Sequence, residues 1–381
     1  MLSYAYFRLP GWRNGRRRGL KPPGLERVVR VRVPPRVPSS TIGIYILLWS
    51  EILGFAKFIL RSWFFKLSYD GSGLRLFEIL NAELASWPVA NWSLCVVDYS
   101  DPGDPRVQML GQTDLDFALA SVSKAVVALG VLVAIEEGLG ELDGVIDPLG
   151  VTWRDLLAHC SGIAYDNGGS ITSSDIETLF GTDALKRDDF FVRPRRERRI
   201  YSNFGFEALG FVLQRESEIK FAGYIDEAIF LPLEMKNSYI SSRIMPQAGP
   251  TGASAGIVSN AKDMEKFLLE LITPHLISTQ TYRDATRSQY GPLPGVLPGF
   301  GFRLDNAWGL GIEIRADKTP HWTGSLNSIE TFGHFGRSGT FFWIDPAWRI
   351  AMCFLGDRPF DDFAKSAWPK LADLAIATLN S

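Results

Sequence analysis

The sequence predicts an α+β fold in which the two ends of the chain pair into one antiparallel sheet and a mostly helical middle is inserted beside it. Three observations carry that reading. Strand patterns occur early, at 92–99 and 106–110, and return only late, at 308–315, 330–335, 340–344 and 349–355. Helical spacing occupies the middle, at 152–159, 175–180, 204–216, 221–229 and 263–272. Ahead of that middle lies a run, 125–135, made only of Ala, Val, Leu, Ile and Gly, so a helix there is apolar on every face and has to be central.

In chain order, residues 1–40 hold ten basic residues against one acidic. They read either as a disordered basic arm or as a mis-called extension similar to the translation of a transfer-RNA gene. Residues 41–73 form an apolar helical segment whose part 42–65 could associate with a membrane. Glu51 and Lys57 oppose that, since each costs about 2.5–3.5 kcal/mol near a bilayer centre. The uninterrupted apolar run 42–49 is too short to span, and no small-residue cleavage site comes after it, so no clear cleavable signal peptide is read and the compartment stays open between cytoplasmic and membrane-associated. The folded domain is expected over 74–381, with a sheet part at 74–116 and 300–381 and a helical part at 117–299. It opens with a helix at 76–84, turns its early strands at Pro102-Gly-Asp-Pro105, and closes with a helix at 363–379. Gly138 suits the left-handed residue that ends the apolar helix, which places Ser121 at or just before its first turn.

Composition removes several function classes. With 46% hydrophobic and 22% charged residues among 381, the chain can bury a large core. Beyond residue 40 there are 30 basic against 41 acidic groups, so no basic face points to nucleic acid. Cys95, Cys160 and Cys353 lie apart in apolar surroundings and read as buried thiols without a disulfide framework. Four histidines with no His-Glu-x-x-His and no Cys-x-x-Cys give no metal site. The oligomeric state is not legible.

Ser121 and Lys124 share a helix face, about 5–6 Å apart at Cβ. A serine hydroxyl becomes a nucleophile when a neighbouring base takes its proton, and burial can bring a lysine from about 10.4 towards 7. A helix N-terminus adds N–H groups where an oxyanion could form. The same spacing recurs at Ser217/Lys220 and Ser259/Lys262, but neither of these opens an apolar helix. The alternative reading of Ser121 is an ordinary N-cap. Tyr201-Ser-Asn203 offers a hydroxyl that can move protons and an amide that can hold a substrate, or else a helix-start cap. Gly333-His-Phe-Gly336-Arg337 lies on a late strand where glycine admits a ligand and the Arg337 N–H could bond a carbonyl oxygen. A rival nucleophile is Ser254 in Gly252-Ala-Ser-Ala-Gly256, which has elbow spacing without the required strand before it and helix after it.

In order, Ser121-x-x-Lys124, the stretch 151–162 ending Leu-Leu-Ala-His-Cys-Ser-Gly, Tyr201-Ser-Asn203, Leu231-Pro-Leu-Glu-Met235 and His334-x-Gly336 resemble the serine β-lactamase and penicillin-binding superfamily. The resemblance is to its class C β-lactamase-like branch, with D-alanyl-D-alanine carboxypeptidases and related esterases. It implies a β-lactamase/transpeptidase-like fold and acyl transfer to Ser121, with Lys124 and Tyr201 moving the proton. It further implies that Asn203 orients the substrate, that His334 and Gly336 bind it, and that the N–H groups of Ser121 and Arg337 form an oxyanion hole. No cofactor is implied, and the substrate is a small ester, amide or peptide. In that family the motif at 334–336 often begins with lysine and then threonine. Phe335 cannot make the threonine's hydrogen bond to a carboxylate, which favours an esterase or amidase with an apolar acyl group over a β-lactamase or carboxypeptidase. A superfamily member that binds without turnover is the non-enzymatic alternative.

Overall fold

The computed structural model describes residues 71–166, 170–245 and 248–380. The expectations for the basic arm 1–40 and the apolar stretch 42–65 lie outside the described residues. Among those described, no helix is long and apolar enough to cross a membrane.

Six strands form the main sheet: β1 (Trp92–Asp98), β2 (Arg106–Gly111), β3 (Glu313–Ile314), β4 (Phe332–Gly336), β5 (Thr340–Asp345) and β6 (Ile350–Gly356). Their spatial order is β3-β4-β5-β6-β1-β2, with every pairing antiparallel. The first and last thirds of the chain therefore share one sheet, joined where β1 pairs with β6. Strand alternation explains why both faces are covered. Leu94, Val96, Phe341, Trp343, Met352 and Phe354 pack on one face with Leu76 and Leu80 of α1 (Gly71–Ala85) and with Trp368 and Leu371 of the C-terminal helix Asp362–Leu379. Cys95, Val97, Phe342, Ile344 and Cys353 point the other way, into the core shared with the helical part. All three cysteines are buried and free.

The apolar run is helix α2 (Ser123–Glu136), buried from Ser123 to Leu132 and closed by Gly138 at φ 81°. Helix α3 (Asn203–Ser217) packs against it, capped by the Ser202 hydroxyl, which accepts from Gly205 N. One expected element is much shorter than its pattern: of 308–315, only Glu313–Ile314 is strand. Gly311 is in the left-handed region at φ 76°, and a Cβ there would stand 2.1 Å from the Ala128 Cβ, so the chain folds back onto α2 where a continuous strand could not fit.

Candidate active site

A short strand, Phe117–Ala118, leads into a 3₁₀ turn, Ala120–Val122, and then directly into α2. Ala120 has φ 47°, a left-handed conformation that is strained for a residue with a Cβ, and the sharp turn leaves Ser121 partly exposed at the helix mouth. The β4–β5 hairpin holds this turn in place. Ser338 Oγ donates to the Ala118 carbonyl (2.6 Å) and Thr340 Oγ1 to the Leu119 carbonyl (2.9 Å). Gly336 completes the contact: a Cβ there would lie 2.3 Å from the Leu119 oxygen. The glycine thus admits the chain's own backbone against the strand edge, whereas the sequence suggested the approach of a ligand.

Lys124 is fully buried in the first turn of α2, three residues after Ser121. Its Nζ donates to Asn203 Oδ1 (2.8 Å) and to the Ser254 carbonyl (2.6 Å), with Ser121 Oγ at 3.5 Å. Burial pulls its pKa from 10.5 down to about 7, partly opposed by the charge of Glu207. A neutral amine has two N–H groups and one lone pair. With two N–H groups on Asn203 and Ser254, the third position faces Ser121 Oγ: it donates there in the ammonium and becomes a lone pair when the amine is neutral.

Tyr201 precedes α3, and its ring lies 4.8 Å from Lys124 Nζ. Burial raises its hydroxyl well above the ordinary value, partly offset by the Ser121 side chain. Desolvation wins, and the hydroxyl keeps its proton. The 151–162 segment acts on this loop through His159, whose Nδ1 accepts from Ser202 N (3.1 Å) and whose ring lies against Tyr201 at 4.6 Å. Asn203 is buried facing Lys124, and its backbone N–H donates to the Tyr165 carbonyl (2.8 Å).

Ser121, Tyr201, His334 and Arg337 line one cavity of about 180 Å³, together with Tyr165, Trp308, Glu313, Phe335 and Phe360. Asn203 and Lys124 stand behind its wall. His334 is 3% exposed, and Phe335 packs its ring on Phe360 at 4.8 Å. Among the described residues no group of His, Cys, Asp or Glu could hold a metal ion.

The rival Ser254 is enclosed, its N–H donating to Glu207 Oε1 (2.9 Å) and its carbonyl accepting from Lys124. A turn precedes it and the strand Ile257–Ser259 comes after it, so the elbow geometry is absent. Its segment supports the lysine. The basic run at 193–199 divides: Arg193 and Arg195 are exposed, Arg196 pairs with Asp155 at 2.7 Å, and Arg199 is buried on the Ala158 carbonyl and Cys160 Sγ.

Sequence reasoning missed Glu207 and Glu313. Each is a lone acid in an apolar stretch, which is the signal that could have found them. Glu207 lies one turn after Asn203 and also accepts from Thr251 N (2.9 Å) and Oγ1 (2.6 Å). Glu313 accepts from Lys318 Nζ (2.7 Å), His321 Nε2 (2.9 Å) and Trp322 Nε1 (2.6 Å), and these partners hold its carboxyl well below the usual range despite burial.

This fold is of the β-lactamase/transpeptidase-like class. The Beta-lactamase family's sequence model matches residues 101–376, and the chain belongs to that family of serine acyl-transfer hydrolases. A solved structure of a beta-lactamase from Mycobacterium bovis is 39% identical and superimposes with a TM-score of 0.68, covering 78% of this chain and 98% of that one. The D-amino acid amidase from Ochrobactrum anthropi shares the fold at 18% identity and a TM-score of 0.60, covering 82% and 99%. Penicillin-binding protein 4* of Bacillus subtilis is 28% identical over 148 residues, 35% of this chain and 32% of that one. The chain spans between 32% and 58% of the length of such curated relatives.

Proposed function

We propose that this chain hydrolyses an ester or amide with an apolar acyl group through an acyl-enzyme on Ser121. The carrying observation is the buried Lys124 amine, with its N–H groups on Asn203 and Ser254 and its remaining direction towards Ser121 Oγ. Lys124 takes the Ser121 proton as the hydroxyl attacks the carbonyl. The N–H groups of Ser121 and Arg337 bond the developing oxyanion. The proton taken by Lys124 passes through the Tyr201 hydroxyl to the leaving group, so Tyr201 ends protonated and Lys124 neutral. Lys124 then takes a proton from the water that attacks the acyl carbonyl, and returns it to Ser121 Oγ as the acyl group leaves. Trp308, Phe335 and Phe360 make the acyl side of the cavity apolar.

Turnover of β-lactams is the second reading, favoured by 39% identity to a chain described as a beta-lactamase. Phe335 weighs against it, having no hydroxyl for a substrate carboxylate. The test is a fluorophosphonate probe and peptide mass spectrometry of the product, with p-nitrophenyl butyrate and nitrocefin compared in parallel. The expected result is a label on Ser121 and faster turnover of the ester. A label on Ser254 overturns the mechanism, and silence with all three reagents leaves a binding protein.

A further inference from the structure

We propose that His334 is the discriminating acceptor of this cavity, and that favoured substrates carry a hydroxyl or N–H close to the scissile carbonyl and no carboxylate there. The inference rests on Ser121 being the nucleophile. It starts from the tautomer. His334 Nδ1 lies 2.8 Å from the Phe335 carbonyl oxygen, which can only accept, so Nδ1 carries the proton. In the neutral ring Nε2 is then a lone pair, and it is enclosed without a hydrogen-bond partner. Burial and the neighbouring Lys124 charge push the imidazole down to about 3, so it stays neutral at working pH.

The ring cannot readily turn away, because Trp308 lies against it at 5.5 Å and Tyr201 at 5.8 Å, and Nδ1 is tied to its own strand. The amide and carboxylate acceptors around the site are already engaged, and the hydroxyls of Ser121, Tyr165 and Tyr201 can donate as well as accept, which leaves the His334 Nε2 as an acceptor that cannot donate. Asn203 Oδ1 accepts from Lys124, and the Glu313 carboxylate accepts from three donors. A substrate O–H or N–H that reaches Nε2 satisfies the enclosed lone pair, whereas a carboxylate would set acceptor against acceptor. A lysine at this position would have the opposite preference.

The test uses p-nitrophenyl esters of 2-hydroxybutyrate, of butyrate and of succinate as the half-ester. Each kcat/KM is divided by that ester's rate with hydroxide, which removes intrinsic reactivity. The wild-type enzyme should favour the hydroxy ester over butyrate by roughly tenfold and disfavour the half-ester. His334→Gln, whose amide oxygen can accept, should retain part of that preference; His334→Lys should reverse it, favouring the half-ester by roughly tenfold. A wild-type hydroxy-to-plain ratio near one, or a preference for the half-ester, overturns the inference without needing any variant to fold. Fluorophosphonate labelling of Ser121 separates the two failures: with labelling and a ratio near one, only the acceptor role falls, and without labelling the hydrolase reading falls with it.

Discussion

Lys124 and Lys318 are both enclosed, at 0% and 2% exposure, yet their surroundings differ in one respect. Lys318 Nζ sits 2.7 Å from the Glu313 carboxylate, inside a cluster with His321 and Trp322. Lys124 donates only to neutral oxygens, and the nearby Glu207 spends its carboxylate on Thr251 and Ser254. Desolvation lowers both lysines, but only at Lys318 does a hydrogen-bonded carboxylate push back. The same residue is thus paired with a carboxylate in one place and held by neutral oxygens alone in the other, where the proposed mechanism uses it as the base. What separates them is a carboxylate at hydrogen-bonding distance, since desolvation is common to both.

The largest expected effect comes from removing the unpaired member. Lys124→Met should lower kcat/KM by about 10²–10⁴-fold, the usual range for a lost general base. It should also stabilise the fold. Holding Lys124 at about 7 rather than 10.5 costs about 4–5 kcal/mol, against about 1–3 kcal/mol for each of the two acceptors left unmet, so a net gain of at most about 3 kcal/mol is expected at pH 7. Proton counting sets the sign with pH. Between pH 7 and 10.5 the unfolded lysine holds a proton that the folded one has released, so wild-type stability rises with pH and the methionine's advantage shrinks. Guanidinium unfolding at pH 7 and pH 9 measures both, and a variant less stable than wild type at pH 7 contradicts the comparison.

Lys318→Met should do the reverse. It strands Glu313 with only His321 and Trp322, and breaking a buried pair by removing one partner costs about 3–5 kcal/mol. Thermal or denaturant unfolding checks this. The folded variant's kcat/KM should still rise through about pH 7, because Lys124 is untouched. Loss of that limb would place Lys318 in the proton chemistry and erase the distinction.

Much of this arrangement is legible in sequence where partners are close along the chain. Ser121 and Lys124 are three apart on a helix marked by its unbroken apolar run, and the sheet strands show themselves through β-branched and aromatic residues at both ends. The structure also brings Tyr201, His334 and Arg337 to the cavity that Ser121 lines. Other features are illegible for a physical reason. That Asn203 would hold Lys124 depends on a contact across 79 residues, and the role of the Ser254 carbonyl on one across 130. The strand pattern at 308–315 misled because Gly311 reverses the chain to fit against Ala128, a steric fact belonging to the packed pair. The same holds for Ala120, whose φ of 47° is imposed by the hairpin that docks on it.

The smallest effect tests the remaining asymmetry, the influence of Glu207 on Lys124 without a hydrogen bond between them. The Glu207 charge raises the lysine, so Glu207→Gln should move the rising limb of the kcat/KM profile to lower pH, by up to about one pH unit. Burial pushes the Glu207 carboxyl itself upwards, while the Thr251 and Ser254 donors pull it down. If burial wins and the carboxyl is neutral at pH 7, it exerts no field and the limb should stay where it is. A shift upwards would mean that the glutamine had moved the Ser254 carbonyl away from Nζ, since Glu207 also bonds the N–H of that residue. A profile of p-nitrophenyl butyrate hydrolysis from pH 5 to 9 separates the three outcomes, and only the downward shift leaves Lys124 as a lysine tuned by a neighbouring charge it does not bond.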